Sequence, residues 1–443
     1  MRTGRVWLVM ALVTCHLSLV TADEPQLLVG TAKLELVPPV RAPLAGYSRR
    51  KGKLATGTLD SVSVRAVVLQ AQETTVALVS CDLLIIDERL FEAVQARVRA
   101  SASRPIALLL AATHTHSGPG AYGQKFLEKI SMGHFDPEVF DFLVTRIAQA
   151  VHDASAALQP ATVRSAVATT EGLVVNRMQP DGVVDAEVTV LAFDGRDEQP
   201  IAVVVGFGAH PTTLGAWNTQ LSADYPGALT RTLEARYPGA VCLFLAGAVG
   251  DQAPVKQGER FERPKWLGEQ LASRVLALLA QATRSPARDT SSAAWRVPPR
   301  SATRDTPGLL QIAQRTLTLP PARIRLGPVT LPSWLGRSLV DDDASVSVVK
   351  LDRAVFFGLP CDVSAELGLD LKRHARRAGY QPVVVGFAND YIGYCLPEQL
   401  YRTRSYEASM AFNGPKTGEL LVKELKQMID QLSGQWSVVS GQQ

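Results

Sequence analysis

The chain alternates short apolar runs with amphipathic stretches of helical period. Apolar runs bounded by turn formers favour buried strands, and apolar positions that recur every three to four residues favour helices. The first pattern predicts strands at residues 63–68, 75–81, 105–110, 186–193, 201–206, 241–248, 354–359 and 383–387. The second predicts helices at residues 87–102, 136–156, 225–237, 266–282, 365–377 and 417–432. Because strands and helices alternate, we predict an α/β fold with a large mixed sheet flanked by helices.

Polar side chains follow six of the apolar runs, at the points where the predicted strands end. They are Asp82, His114, His210, Asp251, Asp362 and the stretch 389–391. In α/β sheets ligands bind beyond the carboxyl ends of strands, so we expect the ligand site at these ends. Asp is also a common turn former, which explains Asp82 and Asp251 without a site but leaves the histidines unexplained.

The segment AATHTHSGPG, residues 111–120, carries two histidines two positions apart, His114 and His116. Alternate residues of a strand project to the same side, and histidine is the commonest metal ligand. A hydrogen-bonded pair of loop histidines would give the same tripeptide. His114, His210 and Asp362 would together form a two-histidine, one-carboxylate zinc shell, with Tyr391 as a fourth, oxygen ligand. These ligands are dispersed along the chain, so their spacing alone does not establish the site.

The composition describes an ordinary globular protein of 443 residues, 46% hydrophobic and 20% charged, with a formal net charge of +4. A net charge this small, without long basic blocks, gives no support for nucleic-acid binding. We interpret residues 23–443 as a single catalytic domain. Residues 284–343 are rich in Arg, Pro, Ser and Thr without a clear period. This indicates an irregular, flap-like insertion with a few edge strands, and it leaves a domain boundary there open.

The N-terminal residues 1–22 are typical of a secretory signal peptide. Arg2 and Arg5 precede an apolar run, and Val20-Thr21-Ala22 forms a small-residue cleavage site. We therefore expect a secreted or periplasmic protein. A lipoprotein site at Cys15 is less favoured, because the apolar run continues past it.

Four cysteines remain after the predicted cleavage, and an oxidising compartment would permit them to form disulfides. They are Cys81, Cys242, Cys361 and Cys395. Four cysteines allow three pairings, which sequence cannot choose between. Cys81 and Cys242 lie in apolar runs typical of buried free thiols. Cys361 and Cys395 lie on later loops of chemical interest, so our hypothesis is a bond between these two.

A series of short motifs runs in order from about residue 28 to residue 432. They are THTHSGPGAY at 113–122, then 175–177, 208–211, 222–227, 250–251, 360–362, 389–391 with Tyr401 ten residues on, and 406–407. In order and approximate spacing the series resembles the neutral/alkaline, non-lysosomal ceramidases. The resemblance implies a zinc-dependent amide hydrolase with a large α/β catalytic domain. By this resemblance His114, His210 and Tyr391 match zinc ligands, and Asp362 stands where the family has a glutamate.

The same resemblance implies catalytic roles and one departure. His116, Arg177 and Tyr401 match residues thought to steer the scissile carbonyl and its developing charge. The family's nucleophile is a serine, and Ala253 occupies its position here. Our hypothesis is that zinc lowers the pKa of a bound water to about 7, so that water replaces serine as nucleophile. His116 or Asp251 would then act as general base, with Arg177 and Tyr401 stabilising the oxyanion.

Each of these residues also has an ordinary structural interpretation. Arg177 could form a surface ion pair, Tyr401 could anchor a loop, and Asp251 could cap a helix. Two serines are possible substitute nucleophiles. We interpret Ser117 as a turn residue and Ser364 as a helix cap.

We therefore predict a zinc hydrolase of an amide bond in a ceramide-like or other N-acyl, lipid-like substrate. A zinc esterase or lactonase is an alternative, and so is a non-catalytic lipid-binding or ligand-binding domain with structural zinc. A lipid-like substrate makes peripheral membrane contact possible. The sequence runs to residue 443, so we expect no C-terminal immunoglobulin-like domain of the kind that the resemblance to long ceramidases would imply. The oligomeric state cannot be predicted.

Overall fold

The computed structural model describes residues 27–284, 294–296, 308–326, 329–336 and 339–434. The predicted signal peptide at residues 1–22 lies outside these ranges, and so does Cys15. Among the described helices, none combines the length and apolarity that a bilayer span requires.

The strands, in chain order, are β1 (Leu28–Glu35), β2 (Gly57–Thr58), β3 (Ser63–Ala71), β4 (Thr74–Cys81), β5 (Ala107–Ala112), β6 (Gln159–Pro160), β7 (Thr162–Thr169), β8 (Val174–Asn176), β9 (Glu187–Asp194), β10 (Pro200–Phe207), β11 (Gln220–Leu221), β12 (Val241–Ala246), β13 (Gln252–Pro254), β14 (Ala294–Arg296), β15 (Leu310–Thr318), β16 (Arg325–Leu326), β17 (Val329–Thr330), β18 (Asp343–Leu351), β19 (Ala354–Gly358), β20 (Asp362–Val363), β21 (Gln381–Val385) and β22 (Tyr394–Cys395).

The helices, in chain order, are α1 (Glu88–Ser101), α2 (Phe126–Met132), α3 (Pro137–Ala156), α4 (Asp224–Arg236), α5 (Glu262–Arg284), α6 (Ser333–Gly336), α7 (Ala365–Arg377), α8 (Glu398–Tyr401), α9 (Tyr406–Ser409) and α10 (Thr417–Leu432). A 3-10 turn lies at Ser48–Arg50.

Three larger mixed sheets form the body of the protein. Their strand orders are β5-β4-β3-β1-β6, β12-β10-β9-β7-β14 and β15-β18-β19-β21. Each sheet is antiparallel except for one parallel pair at its edge, β4 with β5, β10 with β12, and β19 with β21. A helix connects the two strands of each pair (α1, α4 and α7), as a parallel crossover requires. The α/β class is therefore confirmed, with three mixed sheets in place of the single large sheet predicted.

The sheets meet in an apolar core, and helices cover their outer faces. Val67, Leu191 and Phe356, one from each sheet, belong to the same buried cluster. Helices α1 and α3 contact each other and α3 packs on β1 and β3, whereas α4 and α5 pack on the second sheet and α7 and α10 on the third. Because both faces of each sheet are covered, the strands are nearly continuous apolar runs.

Backbone hydrogen bonds join the carboxyl ends of the parallel strands from different sheets. Ala112 N–H, at the end of β5, donates to Phe387 O at 3.2 Å. Gly386 N–H, just beyond β21, donates to Ala246 O of β12 at 2.8 Å, and Gly247 N–H donates to Phe207 O of β10 at 2.9 Å. The loops that follow β5, β10, β12 and β21 therefore converge on one region, as the sequence pattern predicts.

The region 284–343 is described only in part. Strand β15 lies at the edge of the third sheet and pairs along its length with β18. This agrees with the edge strands predicted there. The interpretation of residues 23–443 as one domain with a flap stays a prediction.

The hypothesis of a Cys361–Cys395 disulfide is wrong in this structure, where both side chains are free, buried thiols. Cys361 directly precedes β20 and Cys395 ends β22, its partner strand. Burial is the main cause of the raised pKa of Cys361, and hydrogen bonding with Cys395 contributes to it. Cys81 and Cys242 are free and buried, as predicted.

Candidate functional site

Three histidines converge where the parallel strands end. His114 follows β5, His116 lies two residues further on, and His210 follows β10. The Nε2 atom of His114 is 2.9 Å from that of His210, and Nε2 of His116 lies 3.2 Å and 3.1 Å from those two atoms. Donors about 2.0 Å from a shared tetrahedral centre lie about 3.3 Å apart, so the spacing suits one zinc-sized ion.

Backbone carbonyls determine the tautomers of two of these histidines. His114 Nδ1 lies 2.6 Å from Leu84 O, and His210 Nδ1 lies 3.3 Å from Val249 O. Because a carbonyl oxygen only accepts, both Nδ1 atoms carry the hydrogen and both Nε2 atoms present lone pairs. Two lone pairs 2.9 Å apart repel each other unless a cation or proton lies between them. Metal-bound histidines typically have this arrangement of the second nitrogen.

Asp362 completes a donor set around the histidines. It is fully buried, and its Oδ1 atom lies 3.5 Å from His114 Nε2 and 3.9 Å from His210 Nδ1. Within the described part of the chain Oδ1 has no hydrogen-bond donor, whereas Oδ2 accepts a 2.8 Å bond from the Tyr391 hydroxyl. A buried carboxylate oxygen without a donor is costly, and a bound cation removes that cost. The residues therefore fit a zinc ion, and the departure from glutamate to Asp362 does not prevent it.

Burial governs the protonation of these groups. It lowers the pKa of His114 to about 3, and it lowers the pKa of His116 and His210 well below the usual value, so all three imidazoles are neutral. Burial raises the pKa of Asp362 to about 7, against the hydrogen bond from Tyr391 and the charge of Arg177, which lower it. Burial likewise raises the pKa of Tyr391 well above its usual value. Its phenol is thus neutral and contacts the ion site through Asp362.

His116 differs from the other two histidines. Its side chain is only partly buried, and it lines the adjacent cavity. Its Nδ1 atom lies by the backbone of Gly46 and makes no well-formed hydrogen bond to any described residue. His116 thus belongs with His114 and His210 to a group of three histidines that could hold a metal ion, and it differs from His210 in lining the cavity.

Arg177 places a positive charge beside the donor set. Its Nη2 atom donates to Gly250 O at 2.8 Å and to the Tyr394 hydroxyl oxygen at 2.9 Å, and Nε lies 3.0 Å from Glu407 Oε1. Burial alone would lower the pKa of Arg177, but Tyr394, Glu407 and Asp362 raise it above its usual value. Arg177 therefore remains charged, in a partner network rather than in a surface ion pair.

The structure does not place Tyr401 in this group. The Tyr401 ring lies under the Arg325 guanidinium, 4.0 Å away, and packs in a small buried cluster that also contains Tyr394. The hydroxyl beside Arg177 belongs to Tyr394, which sequence reasoning missed. Tyr394 lines the cavity and lies three residues after Tyr391. The register Asp362↔Tyr394 of the β20–β22 pair brings it there, and no local sequence pattern indicates that pair.

Asp251 also has a different role from the general base predicted. Its Oδ1 accepts bonds from Ala365 N–H at 2.8 Å and Gln252 Nε2 at 3.0 Å, and Oδ2 accepts from Asn176 Nδ2 at 3.1 Å. Both oxygens are thus used to cap α7 and to hold neighbouring loops. Ser364 is the N-cap residue of α7, as predicted, but its hydroxyl makes no hydrogen bond to any described residue and so does not supply the capping bond.

Ala253 and Ser117 are each next in the chain to a residue of the site or to one that contacts it. Ala253 belongs to β13, and its neighbour Gln252 accepts a hydrogen bond from His210 N–H at 3.1 Å. Ser117 Oγ is buried and accepts bonds from Asn218 Nδ2 at 3.0 Å and from Arg50. These bonds hold a turn, so they support the interpretation of Ser117 as a structural residue.

A cavity that is open to solvent at its mouth lies beside the histidines. Its walls are largely apolar, with His114, His116, Tyr391 and Tyr394 at one end. The apolar lining includes Leu84, Ile85, Leu127, Ile392, Met410 and Phe412. Apolar walls with a few convergent polar groups are typical of a small-molecule site.

Comparisons with known proteins agree with this geometry. The family model described as neutral/alkaline non-lysosomal ceramidase, N-terminal, matches residues 28–270. A neutral ceramidase of Oryza sativa is 26% identical over 247 residues, which cover 52% of this chain and 31% of the relative. A neutral ceramidase of Pseudomonas aeruginosa is 23% identical over 388 residues, which cover 70% of this chain and 57% of that protein.

A solved neutral ceramidase structure from Pseudomonas aeruginosa superposes with a TM-score of 0.80 at 20% sequence identity, over 95% of this chain and 76% of that one. At this identity the superposition shows the fold alone. The matched segment spans about a third of the Oryza relative and just over half of the Pseudomonas one. The family model, however, covers more than half of the chain. The chain therefore belongs to the neutral/alkaline non-lysosomal ceramidase family.

Proposed function

We propose that the protein is a zinc-dependent hydrolase of the amide bond in a ceramide-like or other N-acyl, lipid-like substrate, with water as nucleophile. The observation that carries this proposal is the convergence of His114, His210 and the donor-free Asp362 oxygen at one end of an apolar cavity. Family membership supports the ceramide-like substrate class.

His114, His210 and Asp362 would hold the zinc ion. When bound, zinc supplies Lewis acidity and lowers the pKa of water in the site to about 7. Tyr391 orients Asp362 through its 2.8 Å hydrogen bond. Leu84 O and Val249 O orient the two imidazoles.

His116 Nε2 would accept the proton of the attacking water and pass it to the leaving amine nitrogen. Its Nδ1 atom makes no well-formed hydrogen bond to any described residue, and its position on the cavity wall lets it reach a substrate. Positioned proton transfer of this kind contributes about 10²–10⁴-fold to a rate.

The Arg177 charge would stabilise the oxyanion that develops on the substrate carbonyl. Tyr394 lies between Arg177 and Asp362 and fixes the guanidinium. The buried Glu407 side chain neutralises part of the charge and holds it in place.

One observation favours a non-catalytic binding domain instead. Ala253 lacks a hydroxyl at the position of the family's serine, which removes the nucleophile that the family resemblance implies. An esterase or lactonase would use the same residues, and a substrate panel separates these from an amidase.

The test is hydrolysis of a short-chain ceramide, an N-acyl amine and matched esters by the zinc-supplemented chain. We expect amide cleavage that falls at least about 10³-fold in His210→Ala. Circular dichroism and unfolding curves establish that the variant folds. No cleavage of any amide or ester by the zinc-loaded parent would favour the binding domain. Ala253→Ser would then show whether a restored hydroxyl creates ceramide hydrolysis.

A further inference from the structure

Helix α2 has two different faces. One face lines the cavity beside the histidines, through Leu127, Glu128 and Ser131 and through Lys125, the residue just before the helix. The opposite face carries Phe126 and Ile130, which are 63% and 48% exposed. These two side chains are four residues apart and therefore lie on the same side of the helix.

The loop that contains the 3-10 turn adjoins this exposed face. Gly46 N–H donates to Ser131 O at 2.9 Å, and a Cβ on Gly52 would lie 3.4 Å from the Gly133 Cα. Leu54, at the end of the loop, is 48% exposed and extends the apolar area. The outer face of α2 and the loop are therefore one continuous surface at the cavity wall.

The charges on this surface are positive. They are Arg49, Lys51, Lys53 and Lys129, all exposed. Among the described residues none of the four forms an ion pair. The acidic residue of α2, Glu128, faces the cavity and accepts a 2.8 Å bond from Lys125 N–H, while the Lys125 ammonium pairs with Asp341. The acidic groups of this segment are thus turned inwards and leave the outer face cationic.

We propose that the outer face of α2 and the loop 48–54 dock on an anionic lipid surface. Exposed aliphatic and aromatic groups flanked by Lys and Arg are the composition of an interfacial membrane-binding site. Charge complementarity selects anionic lipid, and the adjoining cavity wall would let a lipid-like molecule pass from the surface towards the histidines. The second half of this statement rests on the proposed function, whereas the docking itself does not.

The experiment is co-sedimentation of the full chain with two kinds of phosphatidylcholine vesicle. One kind contains about 30% phosphatidylglycerol, which is anionic, and the other contains none. We expect binding to the anionic vesicles at low ionic strength and loss of most binding at about 0.5 M salt. Each basic residue near such a surface strengthens binding about fivefold, so R49Q/K51Q/K53Q is expected to weaken it about 100-fold. F126S/I130S is expected to weaken it about tenfold or more.

A matched control removes the same charge elsewhere. R274Q/R377Q/K423Q alters exposed positions of α5, α7 and α10 and is expected to bind as the parent does. The proposal would be overturned if the parent bound neutral and anionic vesicles equally, or bound neither. It would also be overturned if the control variant lost as much binding as R49Q/K51Q/K53Q. Binding is measured in the His210→Ala background as well as in the parent, so a failure of hydrolysis leaves the docking result readable.

Discussion

At the scale of single residues, three of the ten described non-glycine residues with positive φ lie at the histidine site. His114, Phe387 and Asn389 have φ angles of 64°, 55° and 65°, in the left-handed region that non-glycine residues rarely adopt. The Phe387 ring stacks on His114 at 3.8 Å, and the Asn389 side chain accepts from Leu110 N–H at 2.8 Å. Strain of this kind persists where surrounding contacts enforce it, and it is common at functional sites.

The residues predicted as metal ligands share one property, namely that each lies in the segment that follows an apolar strand. His114, His210, Asp362 and Tyr391 lie where such strands end, and the structure brings them together. Tyr394 was missed because its place depends on pairing between two short strands. Such pairing leaves no periodic signal in the sequence.

The two tyrosines give a direct test of this correction. Tyr394→Phe removes the hydroxyl between Arg177 and Asp362, so we expect kcat to fall about tenfold. This is less than the roughly 10²–10³-fold cost of losing an oxyanion donor, because the hydroxyl acts through Arg177. Tyr401→Phe is expected to leave kcat unchanged, because the described contacts of its ring are structural. Steady-state kinetics on the best amide substrate measures both. A larger loss in Tyr401→Phe would restore the sequence-based assignment.

At the scale of elements, the sequence located regular helices better than irregular segments. The bounds predicted for α7 and α10 are those observed, since both have long amphipathic patterns. Helix α2 was missed, because its seven residues are too few for a periodic pattern to be recognised. Its N-terminus depends instead on the bond from Lys125 N–H to the Glu128 side chain.

The N-terminus of α7 is capped from a distant loop. Asp251→Ala removes the acceptor of Ala365 N–H and one of the two acceptors of Gln252 Nε2 and of Asn176 Nδ2, both of which keep their bond to Val183 O. We expect the free energy of unfolding to fall by about 2 kcal/mol. Ser364→Ala, at the neighbouring cap position, is expected to cost less than about 0.5 kcal/mol. Chemical denaturation measures both changes. Equal losses of unfolding free energy in the two variants would show that the Ser364 hydroxyl also caps the helix.

The cap of α1 makes stability depend on pH. Burial, together with Glu128, raises the pKa of Asp87 to about 7, against the hydrogen bond from Leu90 N–H, which lowers it. A carboxyl whose pKa is higher in the folded state stabilises the fold fully below its unfolded pKa of about 4. That contribution is lost as the pH rises through about 7.

Asp87→Asn keeps an oxygen that can cap Leu90 N–H but removes the titration. We expect the variant to be more stable than the parent at pH 8, by about 1–3 kcal/mol, and to gain nothing at pH 4. Denaturant unfolding at several pH values gives the comparison. Parallel pH curves for parent and variant would show that Asp87 does not titrate in this way.

At the scale of the whole molecule, the α/β class could be predicted but the division into three sheets could not. Alternating apolar strands and helices report which elements exist, whereas strand pairing depends on contacts between distant segments. Strand β15 shows this, because its alternating pattern lies in a region that composition alone marks as irregular. The convergence of strand ends was predictable because it follows from parallel crossovers in general.

The most direct test of the proposed zinc site is the metal content of the purified chain, measured by elemental analysis. We expect about one zinc per chain in the parent, in line with a single three-ligand site, and about the same in His116→Ala. The double variant His114→Ala, His210→Ala is expected to retain almost none. Loss of zinc in His116→Ala would make that residue a ligand. No zinc in the parent, even after reconstitution, would contradict the zinc hydrolase.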